Sequence, residues 1–164
     1  MAAASGSNPP SEKDLASSLQ SHAEEISIES AVSILLIEDN AGDVTLIRES
    51  LREHGLKCQL VTIRDGEKAV QYVDNMEADA ASGPSLIILD LNLPKVNGLE
   101  ILKRLRESSK FQQVPVVVFS SSDDARDRQS VEQLGATRYV QKPSNLQEFM
   151  TIGRVIGAVI ASKG

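Results

Sequence analysis

The sequence predicts an α/β protein, a parallel sheet with helices on both faces, and three observations carry that prediction. Short apolar runs alternate five times with segments of helical spacing between residues 33 and 162. Three of those runs are unbroken blocks of four apolar residues, as expected of parallel strands covered on both sides. Consecutive strands separated by helices are joined by right-handed crossovers, which put the strands parallel and the helices on either face.

Residues 1–30 stand outside this pattern. They carry Lys13 against Glu12, Asp14, Glu24, Glu25 and Glu29, so −4 of the chain's formal net charge of −6 lies there. The segment is rich in Ala and Ser and contains Asn8-Pro9-Pro10. It holds too little apolar surface to offset the entropy of ordering, and a mostly disordered acidic tail is expected, with at most a short helix over 11–28 on Leu15, Leu19 and Ile26. The domain is assigned to residues 31–164.

Within it, Ile34-Leu35-Leu36-Ile37 reads as a buried strand, and Val44, Ile47 and Leu51 share the face of the helix that follows. The mixed run over 58–63 reads as an edge or near-edge strand. Ala69, Val73 and Met76 line the next helix, Leu86-Ile87-Ile88-Leu89 forms a central strand, and Leu99, Leu102 and Leu105 line the third helix. Val116-Val117-Val118-Phe119 is the third apolar block. The segment 124–134 is a weaker helix held by Ala125, Val131 and Leu134, with Ser122 or Asp123 expected as its N-cap. Residues 137–140 form the second mixed strand, and one long helix is expected from 145 to about 162.

Composition excludes several functions. Aromatic residues make up 3% of the chain and Trp is absent, which weakens any reading built on stacking bases, and the acidic balance disfavours nucleic acid or an anionic membrane as partner. Cys58 is the sole cysteine, so no internal disulfide forms. No charged-then-apolar N-terminus signals secretion, and the cytoplasm is expected. The strongly apolar stretch 155–161 falls far short of the roughly 20 residues that span a bilayer.

In open parallel sheets chemistry gathers at the carboxyl ends of the strands. There the sequence places Glu38 and Asp39 after the first strand, Asp90 after the third, Ser120 and Ser121 after the fourth, and Lys142-Pro143 after the fifth. Two carboxylates about 4 Å apart repel by about 4 kcal/mol at an effective dielectric near 20, so such a cluster needs a cation or a raised pKa. All-oxygen donors suit Mg²⁺. His22 and His54 are too scattered to build a zinc site. With the cluster partly neutralised, a free carboxylate can attack phosphorus, and Ser120 and Lys142 can supply donors to the transferred oxygens.

Leu36-Ile37-Glu38-Asp39-Asn40, Asp90-Leu91-Asn92-Leu93-Pro94 with Asn97-Gly98, Val118-Phe119-Ser120-Ser121, and the stretch from Gly135 to Pro143 together resemble the receiver domain of two-component response regulators, over about residues 32–162. The resemblance implies a flavodoxin-like three-layer (βα)5 fold with strand order 2-1-3-4-5. It also implies roles. Asp90 would be the phosphoacceptor, accepting a phosphoryl group from a histidine kinase. Glu38, Asp39, Asp90 and the backbone carbonyl of Asn92 would hold Mg²⁺, Lys142 and Ser120 would bind the phosphoryl group, and Tyr139 would turn inward as a switch. A cis bond before Pro143 is also implied. Three residues depart from the family pattern: Glu38 stands where Asp is commoner, Ser120 replaces Thr, and Ser144 replaces an apolar residue.

Asp39-Asn40-Ala41-Gly42-Asp43-Val44 and Leu91-Asn92-Leu93-Pro94 are similar to stand-alone regulators that serve phytochrome-type sensor kinases. No effector is expected after the last helix, so output would pass through protein contacts or onward phosphotransfer, and the protein would be no enzyme beyond its own phosphorylation and slow dephosphorylation. The wide apolar stripe of the last helix, with Gly153 and Gly157, suggests a symmetric homodimer through that helix, the fourth helix and the fifth strand. Two alternatives remain open at this point. One is a phosphorylation-independent interaction module on the same fold. The other is a dehalogenase-type Mg²⁺ phosphatase, which expects Asp-x-Asp after the first strand and not Asp90-Leu91-Asn92 after the third.

Overall fold

All five expected strands are present in the computed structural model, which describes residues 32–163; the tail assigned to 1–30 lies outside the described residues. Strands β1 (Ser33–Ile37), β2 (Gln59–Ile63), β3 (Leu86–Leu89), β4 (Val116–Ser120) and β5 (Arg138–Gln141) form one parallel sheet of order β2-β1-β3-β4-β5. The three apolar blocks are the buried central strands β1, β3 and β4, and the two mixed runs are the half-exposed edges, as their composition predicts.

Among the described residues six helices cover the sheet: α1 (Ala41–Glu53), α2 (Gly66–Glu77), α3 (Gly98–Glu107), α4 (Ala125–Gln133), α5 (Leu146–Phe149) and α6 (Ile152–Ala161). Strand side chains alternate between two cores. Leu35, Ile37, Ile87, Leu89, Val116 and Val118 face α2, α3 and α4, whereas Ile34, Leu36, Leu86, Ile88, Val117 and Phe119 face α1, α5 and α6. Five of the helices begin on an Asn or Asp whose side chain accepts an amide of the first turn, namely Asn40, Asp65, Asn97, Asp124 and Asn145. For α4 the cap is therefore Asp124, and neither Ser122 nor Asp123.

The last helix differs from the single long one expected. It breaks between Phe149 and Ile152 because its backbone groups are drawn to α1: the Gly153 amide donates to Ser50 Oγ at 2.8 Å, and the same hydroxyl donates to the Met150 carbonyl. A continuous helix would have bonded the Gly153 amide to the Phe149 carbonyl. Ser50 is fully buried, and periodicity could not show this pairing because its partners lie 100 or more residues away. Gly153 is required by the same contact, since a Cβ there would sit 2.4 Å from the Ser50 carbonyl oxygen. Gly157 faces the Leu56 side chain. Gly153, read as room for a second copy, thus serves intrachain packing of α6, whereas a Cβ at Gly157 would make only ordinary contact with Leu56.

Gly153→Ala is expected to force α6 off α1 and to lower the unfolding free energy by about 1–3 kcal/mol. Urea denaturation followed by circular dichroism measures this, and an unchanged midpoint would show that α6 can shift without loss.

Candidate functional site

The parallel register aligns the strand ends. Ile37 pairs with both Ile63 and Leu89, Leu89 with Val118, and Ser120 with Gln141. Each residue just beyond a strand then takes the next rung of the ladder. The Glu38 amide donates to the Ile63 carbonyl at 3.0 Å, the Asp90 amide to the Ile37 carbonyl at 3.0 Å, and the Lys142 amide to the Ser120 carbonyl at 2.8 Å. The sheet therefore fixes the backbones of three chemistry-bearing residues at one edge.

Their side chains converge on the ammonium of Lys142. Nζ lies 2.7 Å from Glu38 Oε2, 2.8 Å from Asp43 Oδ2 and 3.0 Å from Asp90 Oδ2. The free oxygens are held as well: Glu38 Oε1 accepts the Asn40 amide at 3.0 Å and Asp90 Oδ1 accepts the Asn92 amide at 3.1 Å. Gly98 lets the N-terminus of α3 close against this loop, because a Cβ there would lie 2.4 Å from the Asp90 carbonyl oxygen. The expected cis bond before Pro143 is not found; no peptide bond among the described residues is cis. Trans is the isomer X-Pro bonds favour by about 0.5–1 kcal/mol, and with it Lys142 already reaches all three carboxylates.

Electrostatics distinguishes these groups. Glu38 is 1% exposed, and burial drives its carboxyl from 4.5 up to about 7, against the opposing pull of the Lys142 and Asn40 hydrogen bonds. Burial alone would lower Lys142, but hydrogen bonds to Asp43, Glu38 and Asp90 outweigh it and hold the ammonium well above its ordinary range. Glu38, Asp39 and Asp90 each present an oxygen, all within 4.8 Å of one another, and Asp39 is exposed. Hard oxygen donors carrying more negative charge than one ammonium offsets are the donor set of Mg²⁺ or Mn²⁺, so these residues fit a divalent cation.

Of the sequence-predicted site residues, Glu38, Asp39, Asp90 and Lys142 are brought together. Asn92 adjoins them through its amide, and its side-chain Nδ2 reaches Ser121 Oγ at 3.2 Å and Ser120 Oγ at 3.5 Å. Ser120 is fully buried, its hydroxyl accepting the Ser122 amide at 3.4 Å. Tyr139 stands further off. Its hydroxyl donates to the Ser122 carbonyl at 2.7 Å, the Arg128 guanidinium lies 4.8 Å from its ring centre, and among the described residues no hydrogen bond joins it to the carboxylates. Asp43 was missed. An acidic residue in the first turn of a helix reads as a partner of the helix dipole, and only the fold shows that this turn faces Lys142.

The chain is similar in sequence and in fold to known proteins. A family model described as the response regulator receiver domain matches residues 34–153. The response regulator Rcp1 of Synechocystis sp. is 34% identical over 117 residues, which cover 71% of this chain and 80% of that protein. Among solved structures, the phosphorylated cyanobacterial phytochrome response regulator RcpA gives a TM-score of 0.73 at 36% identity, covering 81% of this chain and 96% of that one. The Mn²⁺-bound form of Rcp1 gives 0.70 at 31% identity, covering 77% and 92%.

The raised Glu38 carboxyl has a signed consequence. Folded Glu38 keeps its proton up to about pH 7 whereas the unfolded group loses it near 4.5, so without metal its contribution makes stability fall as pH rises through that window. A divalent cation must displace the same proton. Mg²⁺ binding is expected to tighten between pH 6 and pH 8 with proton release, read by calorimetry in buffers of different ionisation enthalpy, and Glu38→Gln should abolish the release.

Proposed function

Because the chain belongs to the response regulator receiver domain family of two-component signalling, we propose that Asp90 accepts a phosphoryl group from the phosphohistidine of a sensor kinase in a Mg²⁺-dependent reaction. The observation that carries this reading is the Lys142 ammonium between Glu38 and Asp90 beside a three-carboxylate oxygen cluster. It gives one carboxylate a fixed cationic neighbour and leaves a cation-binding face next to it. A carboxylate oxygen of Asp90 attacks phosphorus, the O–P bond forms as the P–N bond breaks, and the electron pair of that bond returns to the departing imidazole.

Glu38, Asp39, Asp90 and the backbone carbonyl of Asn92 would hold the cation, which supplies positive charge to the oxygens of the transferred group. Lys142 donates to one phosphoryl oxygen. Ser120 donates to another by turning its hydroxyl away from the Ser122 amide, and the released loop lets Tyr139 leave the Ser122 carbonyl and turn inward. Phosphorylation thereby favours one of two surface states, a population shift and not a new fold. The catalysis is confined to the protein's own phosphorylation and slow hydrolysis of the acyl phosphate.

A phytochrome-type kinase is the proposed donor, on the strength of the likeness to the phytochrome regulator RcpA. Output passes to a downstream protein or phosphotransfer partner. A homodimer through α4, β5 and α6 would rest on side chains left outside the α1 contact, since Gly153 is already engaged by α1. Among the described residues no helix is long and apolar enough to cross a membrane, and a cytoplasmic site of action is proposed with it.

Incubation with acetyl phosphate and Mg²⁺ should add one base-labile phosphoryl group, detected by intact mass. Asp90→Asn and omission of Mg²⁺ should each abolish it. Labelling that survives in Asp90→Asn would refute the assignment. Sedimentation with and without phosphodonor tests the dimer, and a monomer under both conditions would count against it.

A further inference from the structure

A protonated lysine has three N–H donors and no acceptor. All three donors of Lys142 have carboxylate partners here, Glu38, Asp43 and Asp90, within 2.7–3.0 Å. If a phosphoryl oxygen on Asp90 is to take a donor from Lys142, which rests on the function proposed above, one of those partners must yield. Asp90 is the group being modified. Glu38 is 1% exposed and cannot be rehydrated where it lies, whereas the Asp43 side chain is 22% exposed and can be. Releasing Asp43 therefore carries the smallest desolvation cost.

We propose that Asp43 is a positioning residue that holds Lys142 before phosphorylation and competes with the incoming phosphoryl group for it. Its charge also tips the site's preference between ions. With Asp43 present, three side-chain carboxyls contact one ammonium and Asp39 adds a fourth to the cluster, a field that favours a divalent cation and opposes a doubly charged anion. Neutralising Asp43 has opposite effects on the two. A merely structural defect would weaken both.

The test measures two affinities in the full chain: Mg²⁺ alone, and fluoroberyllate, a phosphoryl mimic that coordinates a carboxylate, at saturating Mg²⁺. Asp43→Asn should weaken Mg²⁺ and tighten fluoroberyllate, each by about five- to thirtyfold, the size of a partly screened unit charge a few ångströms away. Asp43→Glu should restore both values toward wild type by returning the charge. Thermal unfolding of each variant establishes that it is folded. Changes of the same sign, or no change, in a folded Asp43→Asn would overturn this inference while leaving the phosphoacceptor reading intact. Failure of wild type to bind either ion would overturn that reading, and this inference with it.

Discussion

The ammonium of Lys142 is the contact on which the strand-end chemistry depends. It sits within 3.0 Å of three carboxylates from the β1–α1 connection, the first turn of α1 and the end of β3. It supplies the opposite charge in a site where Glu38 and Asp90 are nearly excluded from water. Breaking a buried ion pair from one side typically costs about 3–5 kcal/mol, because the orphaned charge stays buried. One ammonium does not neutralise the cluster, and the remaining negative charge is what suits the strand-end face to a divalent cation.

That contact spans residues 104 positions apart and is held by ordinary sheet bonding. The amides of Glu38, Asp90 and Lys142 each extend a strand ladder by one rung, so the precision of the site is that of the central sheet. The sheet is rigid in turn because β1, β3 and β4 are buried on both faces between two separate cores. Phe119 on β4 packs edge-on against Phe149 of α5 at 5.0 Å, tying the strand that ends in Ser120 to the α5–α6 layer. Reaching chemistry at a sheet edge, with the order reversing between β1 and β3, follows the general rule for open α/β sheets.

The β4–α4 side of the site is built differently. Ser120, Ser122 and Tyr139 are joined by single hydrogen bonds along a loop, several of them half-exposed, and Asn92 touches both Ser120 and Ser121 at long range. Bonds of this kind exchange for water at small net cost. The carboxylate face is thus held by several charge-assisted bonds to one ammonium, and the serine–tyrosine face by single neutral ones.

Much of this was legible in sequence, for identifiable reasons. Four-residue apolar blocks and period-3.6 stripes depend only on local burial, and they located five strands, the helices that follow them and the edge positions of β2 and β5. The family motifs located Glu38, Asp39, Asp90, Ser120 and Lys142 because each falls one or two residues beyond a strand-like run. Two of the misses depend on partners distant in the chain. The break between α5 and α6 is made by Ser50 on α1, and the place of Asp43 in the charge cluster is made by Lys142 on the far side of the sheet. The sequence alone thus determined the layers, the strand-end inventory and the sign of the charge gathered there, since those follow from periodicity and residue type. Only the tertiary structure decided which groups share one ammonium and which glycine admits which helix, because hydrogen bonds and close contacts are set by distances of a few ångströms between segments that no local pattern relates.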